Sequence, residues 1–246
     1  MEIQLKNKKA FVDVLNNYAM SDHAKLVLAK VEYVGLIGPA AAGRNTIITE
    51  LVKTGVFKQV VSDTTRPPKF RDGKMEEEGV AYYFRDEESM LKDLEDGEFL
   101  EAELIHDQQV SGTSIRELEE LSKAGKIGIN DFEFGGAINI LKAKPNSKII
   151  AILPPSYEIW IDRFQKREVI SHQELVNRIS TAQKVIQLVR SEPRVRVVIN
   201  HDVAEATKEI YEYAQGIPQS QEQRSDVGMV LDDFERNISS FLAEEK

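Results

Sequence analysis

The sequence contains no cysteine, which excludes disulfides, thiolate zinc sites and a cysteine nucleophile. It also lacks any apolar run of about 18 residues that would cross a bilayer, and it shows no secretory-signal pattern. The expectation is therefore a cytoplasmic protein without a membrane partner. Histidine is scarce: His23, His106, His172 and His201 stand apart, without the spacing of metal ligands. Tryptophan occurs once, at Trp160, among Tyr157, Ile161 and Phe164, where it reads as packing on a helix face. Positive charge is the minority, 32 Lys and Arg against 41 Asp and Glu, for a net charge of −9. That balance argues against holding nucleic acid, whose backbone calls for a basic surface, but it leaves room for a mononucleotide site where a few arginines converge.

What is present is a chain of 246 residues, 41% hydrophobic and 30% charged, enough for one large α/β domain with extensions or two small domains. Residues 38–46 read Gly38-Pro39-Ala40-Ala41-Ala42-Gly43-Arg44-Asn45-Thr46. This keeps the glycine spacing of the phosphate-binding loop G-x-x-x-x-G-K-[ST], in which backbone amides cradle phosphates, the Lys reaches the β/γ-phosphates and the hydroxyl meets Mg²⁺. Arg44 stands in place of the Lys and Asn45 in place of the hydroxyl residue. A short apolar run at 31–37 predicts a strand before the loop. Ile47, Ile48, Leu51 and Val52 predict a helix over 45–54.

Strand-like and helix-like segments then alternate. Strands are expected at 57–61, 127–134, 148–153 and 195–200, and helices at 137–143, 157–167, 173–189 and 203–214. The alternation implies an α/β fold with a mostly parallel sheet flanked by helices. Between 62 and 112 turn signals surround short strands at 81–85 and 99–105, which reads as an inserted subdomain. Phe11, Leu15, Tyr18 and Ala19 mark an amphipathic helix in an N-terminal extension, residues 1–30. The main domain spans 31–215, and 216–226 is a polar linker. Residues 227–246 form an amphipathic helix with Val230, Phe234, Ile238 and Phe241 on one face. That face is expected to pack on its own domain, beside the N-terminal helix, or to form a homodimer contact; the chain is a monomer or a homodimer.

An ordered series of motifs adds to this reading. Ser62-Asp63-Thr64-Thr65-Arg66-Pro67-Pro68 matches S-x-T-T-R-x-P, Gly79-Val80-Ala81-Tyr82-Tyr83-Phe84 resembles G-x-D-Y-x-F with Ala81 in place of the Asp, and Gly97-Glu98-Phe99-Leu100-Glu101 resembles G-x-F-[IL]-E. Gly112-Thr113-Ser114, Asp131 to Ala137 and Leu153-Pro154-Pro155-Ser156 follow. Arg163 and Arg167 then come four apart, with Arg178 eleven further on. From about residue 32 to 214 the sequence resembles guanylate kinase. The resemblance implies a P-loop kinase core, a GMP-binding subdomain at about 62–112 and a helical lid at about 156–180. It implies transfer of the ATP γ-phosphoryl group to GMP, with Mg²⁺ accompanying ATP. Arg66, Lys69 and Tyr82 would meet the GMP phosphate, and Glu101, Ser62, Thr113 and Glu133 the guanine side. Asp131 and Asn45 would lie at the metal, and Arg44, Arg163, Arg167 and Arg178 at the migrating phosphoryl group.

The departures from that family fall on the catalytic equipment. Arg44 offers a wide fork where a compact ammonium is usual, and Asn45 offers an amide oxygen where a hydroxyl is usual. Ala41 replaces a glycine, which is tolerable provided its φ is negative. Lys69 replaces a second phosphate arginine, with Arg71 near by. Ser111 replaces a tyrosine, Gly135 a glutamine, and an acidic insertion runs through Met75-Glu76-Glu77-Glu78. Two functions stay open on the sequence: a kinase of reduced activity, and a non-catalytic domain that binds nucleotide or phosphopeptide. A kinase for a sugar phosphate is disfavoured, since it has no use for the carboxylate of Glu101.

Overall fold

The computed structural model describes residues 5–71, 73–105, 107–132, 134–167, 171–217 and 225–245; of Arg71, Arg167 and Ser225 the backbone alone is described. In chain order the elements are α1 (Lys8–Asn16), α2 (Asp22–Lys30), β1 (Tyr33–Ile37), α3 (Arg44–Lys53), β2 (Phe57–Gln59), β3 (Asp63–Thr64), β4 (Phe70–Arg71), β5 (Lys74–Met75), β6 (Tyr83–Phe84) and α4 (Glu87–Glu95). They continue with β7 (Phe99–Ile105), β8 (Gln109–Ser114), α5 (Ile115–Ala124), β9 (Ile127–Asp131), α6 (Phe134–Ala143), β10 (Lys148–Leu153), α7 (Tyr157–Arg167), α8 (His172–Ser191), β11 (Val195–Ile199), α9 (Val203–Ala214) and α10 (Ser225–Glu244). The fold is α/β. The chain divides into two compact units, one of residues 34–57 and 148–246, the other of residues 1–33 and 58–147.

The first unit is built on parallel strands. β1 pairs with β10 from Val34↔Lys148 to Ile37↔Ala151, and β10 pairs with β11 from Ile149↔Val195 to Leu153↔Ile199. Every residue of β1 is buried, as expected for a parallel strand covered on both faces. Helix α3 packs on α9, and α10 packs on α8 and α7. Asp202 starts α9 by accepting the N–H groups of Ala204 and Glu205, which satisfies two of the amides a helix start leaves unpaired. On α10, Val230, Leu231, Phe234 and Ile238 are buried and Phe241 is half-buried. Phe234 meets Trp160 and Tyr157 of α7, at centroid distances of 5.7 and 6.1 Å. Within its own unit the partner surface of α10 is α7 and α8.

The second unit holds a mixed sheet in the order β6-β3-β8-β7, with β3–β6 parallel and the β3–β8 and β8–β7 pairs antiparallel. A register irregularity falls between Phe99 and Glu101. The N-terminal residues belong here: Leu5 and Phe11 form a cluster with Met90, Leu94, Phe99 and Val110. Tyr18 fastens the same segment, its hydroxyl donating to the Phe99 carbonyl at 2.5 Å and accepting the Phe99 N–H at 2.8 Å. The N-terminal segment carries two helices where periodicity predicted one. Helices α4 and α5 also went unforeseen; α4 buries only Met90 and Leu94, too few apolar positions to declare a period. The strand expected at 127–134 stops at Asp131, because α6 begins at Phe134 rather than at residue 137.

Candidate functional site

The phosphate-type loop lies between β1 and α3 in the unit of parallel strands. Gly38 has φ +155°, and a Cβ there would come 2.4 Å from the Ile152 carbonyl oxygen, so the glycine is obligatory. Gly43, at φ +98°, is the N-cap of α3 and brings no capping side chain to its first turn. No N-cap side chain competes for the first-turn amides, and the positive end of the helix dipole favours an anion there. Two side chains fix the loop from outside. The Trp160 indole N–H donates to the Ala40 carbonyl at 2.7 Å, and the Asn200 amide donates to the Ala42 carbonyl at 2.8 Å.

Ala41 departs from expectation. Its φ is +61°, not negative. The loop turns as it would with a glycine, and the alanine Cβ bears a cost of about 1–2 kcal/mol in the left-handed region. Arg44 is half-buried, and its Cδ passes close over Gly38. Asn45 and Thr46 are exposed.

Two of the three arginines foreseen on the lid helices have described side chains. Arg163 donates to the Asn200 carbonyl at 3.1 Å. Arg178 is half-buried, donates to Glu174 at 2.6 Å and lies over the Phe164 ring at 4.7 Å. Arg167 ends α7, and its side chain lies outside the described residues. Arg163, Asn200 and Ala42 thus form a chain of hydrogen bonds from α7 to the loop.

The other unit brings together Glu101, Thr113 and Ser62, three of the four residues foreseen around guanine. Glu101, 4% exposed, accepts a hydrogen bond from Thr113 Oγ1 at 2.8 Å. The Asn130 amide donates to both Thr113 Oγ1 and Ser62 Oγ, each at 3.1 Å. Helix α6 packs against β7, and Gly136 permits it: a Cβ there would press to 2.9 Å of Glu101 Cγ. Gly135 opens space in the same way beside the Glu103 carboxylate. Burial pushes the nearby Tyr33 phenol well above its usual pKa, and the charges of Glu101 and Asp131 add to the rise. Asp131 is half-buried at the end of β9. Glu133, foreseen as a base contact, lies outside the described residues.

Arg66 is buried, pairs with Glu76 through both Nη atoms and lies over the Tyr82 ring at 4.7 Å. Lys69 is exposed, and its backbone N–H joins the same carboxylate at 2.9 Å. Sequence reasoning missed Asn130, Asn200 and the role of Glu76. Asn130 stood beside a foreseen acidic residue, and Glu76 stood inside a noted insertion, but neither position says where a side chain points.

Phosphate loop, parallel strands and flanking helices define a nucleotide-binding α/β protein of the P-loop kind. The guanylate kinase family matches residues 30–216. Guanylate kinase of Corynebacterium diphtheriae is 33% identical over 187 residues, covering 74% of this chain and 94% of that protein. Guanylate kinase 1 of Arabidopsis thaliana is 33% identical over 152 residues, 61% of this chain and 38% of that protein. The solved guanylate kinase of Anaplasma phagocytophilum shares the fold, with a TM-score of 0.57 at 21% identity, over 82% of this chain and 94% of that one. The chain belongs to the guanylate kinase family: it is a nucleoside monophosphate kinase of the kind that passes phosphate from ATP to GMP. Among the described residues no helix is long and apolar enough to cross a membrane.

Proposed function

We propose that Glu101 reads guanine, that Arg66 and Tyr82 hold the acceptor phosphate, and that residues 38–46 hold the phosphates of ATP. The buried Glu101–Thr113–Asn130–Ser62 network carries this reading. A carboxylate accepts the N1 and N2 protons of guanine together, and adenine offers no such pair. The hydroxyls and amide beside it fix the carboxylate in place, so little ordering is left for binding to supply.

The donors of the ATP side suit a hard cation. Asn45 presents a neutral oxygen at the helix start and Asp131 a carboxylate, and Mg²⁺ takes one or two protein oxygens together with substrate phosphates. Each is an oxygen donor of the kind that would hold Mg²⁺ beside phosphate, and the ion when bound would neutralise phosphate charge. The rest of the work is charge neutralisation and alignment by arginines. Arg44 places a cation over the loop, Arg163 presents one from α7 while tied to Asn200, and Arg167 and Arg178 complete the set. Arg178 exchanges Glu174 for a phosphate oxygen in doing so. The altered residues Arg44 and Ala41 bear on phosphoryl transfer, and Glu101 bears on guanine recognition.

Calorimetry with GMP and AMP tests the assignment. GMP should bind in preference to AMP, and Glu101→Gln should weaken GMP by about 1–3 kcal/mol while leaving AMP unchanged. Equal binding of the two nucleotides by the unaltered chain would remove the guanine assignment.

A further inference from the structure

Arg66, assigned above to the acceptor's phosphate, already holds an oxyanion. Its Nη1 donates to Glu76 Oε2 at 2.5 Å and its Nη2 to Glu76 Oε1 at 2.9 Å, the two-pronged arrangement a guanidinium makes with carboxylate or phosphate. The two side chains are 3% and 10% exposed. Nη1 also donates to the Pro67 carbonyl at 2.9 Å, and Tyr82 and Phe84 lie against the guanidinium at 4.7 and 5.8 Å.

Glu76 is aimed by backbone. It follows the β4–β5 hairpin, in which Phe70 pairs with Met75 and Arg71 with Lys74. The Glu76 N–H then donates to the Lys69 carbonyl, and the Lys69 N–H returns to Glu76 Oε2, both at 2.9 Å. The neighbouring acids behave differently. Glu78 accepts the Phe84 N–H at 2.9 Å, and the Glu77 side chain is exposed. The insertion therefore delivers one particular carboxylate to one particular arginine. The Nη1–Nη2 edge holds one bidentate oxyanion at a time, so Glu76 and an acceptor phosphate compete for it.

We propose that Glu76 is an internal competitor for the acceptor phosphate: the hairpin carboxylate occupies the phosphate seat and must leave before Arg66 holds a nucleoside monophosphate. This rests on the reading of Arg66 and Glu101 given above. What the phosphate gains at Arg66 is offset by the Arg66–Glu76 pair it breaks. GMP therefore binds little better than guanosine, which is recognised through its base and is indifferent to Glu76. An apparent dissociation constant rises by the inverse of the competent fraction, so an arginine open about a tenth of the time weakens GMP about tenfold.

The test is calorimetry of GMP and guanosine against the full chain and its Glu76→Gln variant. GMP should bind about tenfold more tightly to the variant, with guanosine unchanged. An unaltered ratio of the two affinities overturns the proposal. Should Arg66, left in the interior without its carboxylate, unfold the variant, crystal structures of the unaltered chain decide. Glu76 should be off Arg66 in the GMP complex and on it in the guanosine complex; a pair intact beside bound GMP overturns the proposal. Glu101→Gln separates the two failures. If it weakens both ligands while Glu76→Gln leaves their ratio unchanged, the competitor alone is refuted. If it weakens neither, the guanine reading falls and takes this proposal with it.

Discussion

Trp160 donates its indole N–H to the backbone carbonyl of Ala40 at 2.7 Å, so a buried residue of α7 sets the conformation of the phosphate loop. Trp160→Phe keeps an aromatic ring but removes the donor. Thermal unfolding should show a loss of about 1–3 kcal/mol from packing and hydrogen bonding together. In steady-state kinetics KM for ATP should rise while calorimetric affinity for GMP stays the same.

Ala41 sits at φ +61°, where its Cβ crowds its own backbone. Ala41→Gly should raise the urea midpoint, by about 1 kcal/mol of stability, and should leave the loop conformation unchanged. A loss of stability would mean that the alanine methyl packs well enough to offset its strain.

Phe234 is fully buried against Trp160 and Tyr157. A buried Phe contributes roughly 1.5–3 kcal/mol, and an unpaired carboxylate in its place adds a desolvation cost. Phe234→Asp should release α10 from α7 and α8, seen as fast amide exchange through residues 227–244. Protection that survives the substitution would place the hold elsewhere, with the Arg190 pairs to Asp232 and Glu235 the next to test.

His23 lies between Glu98 at 2.9 Å and Glu119 at 3.3 Å, and its hydrogen bond to Glu98 raises its pKa above the usual 6.5. A raised folded-state pKa means the imidazolium contributes stability that is complete below pH 6.5 and is lost as pH rises through the folded value. The stability difference between the unaltered chain and His23→Gln should therefore shrink from pH 6 upward, in urea unfolding followed across about pH 5–9. A difference constant over that range would show that the ion pairs contribute nothing.

The sequence by itself determined the α/β class, the phosphate-type loop between a strand and a helix, and an amphipathic last helix. Each rests on local chemistry: glycine spacing, apolar periodicity, and runs of residues that must be buried on both faces. Glu101 and Thr113 are singled out by the resemblance of their motifs to those of guanylate kinase rather than by local chemistry. That chemistry did not place the N-terminal helices, since whether Phe11 and Tyr18 meet α4, β7 or α10 depends on which surface the rest of the chain leaves uncovered. Nor did it reveal the positive φ of Ala41, which the Trp160 and Asn200 hydrogen bonds to the loop carbonyls hold in place from outside. Only the tertiary structure decided that Glu76, one of three consecutive acids, turns inward to Arg66. A single charge in a charged run looks the same as its neighbours in sequence, and a hairpin register is what tells them apart.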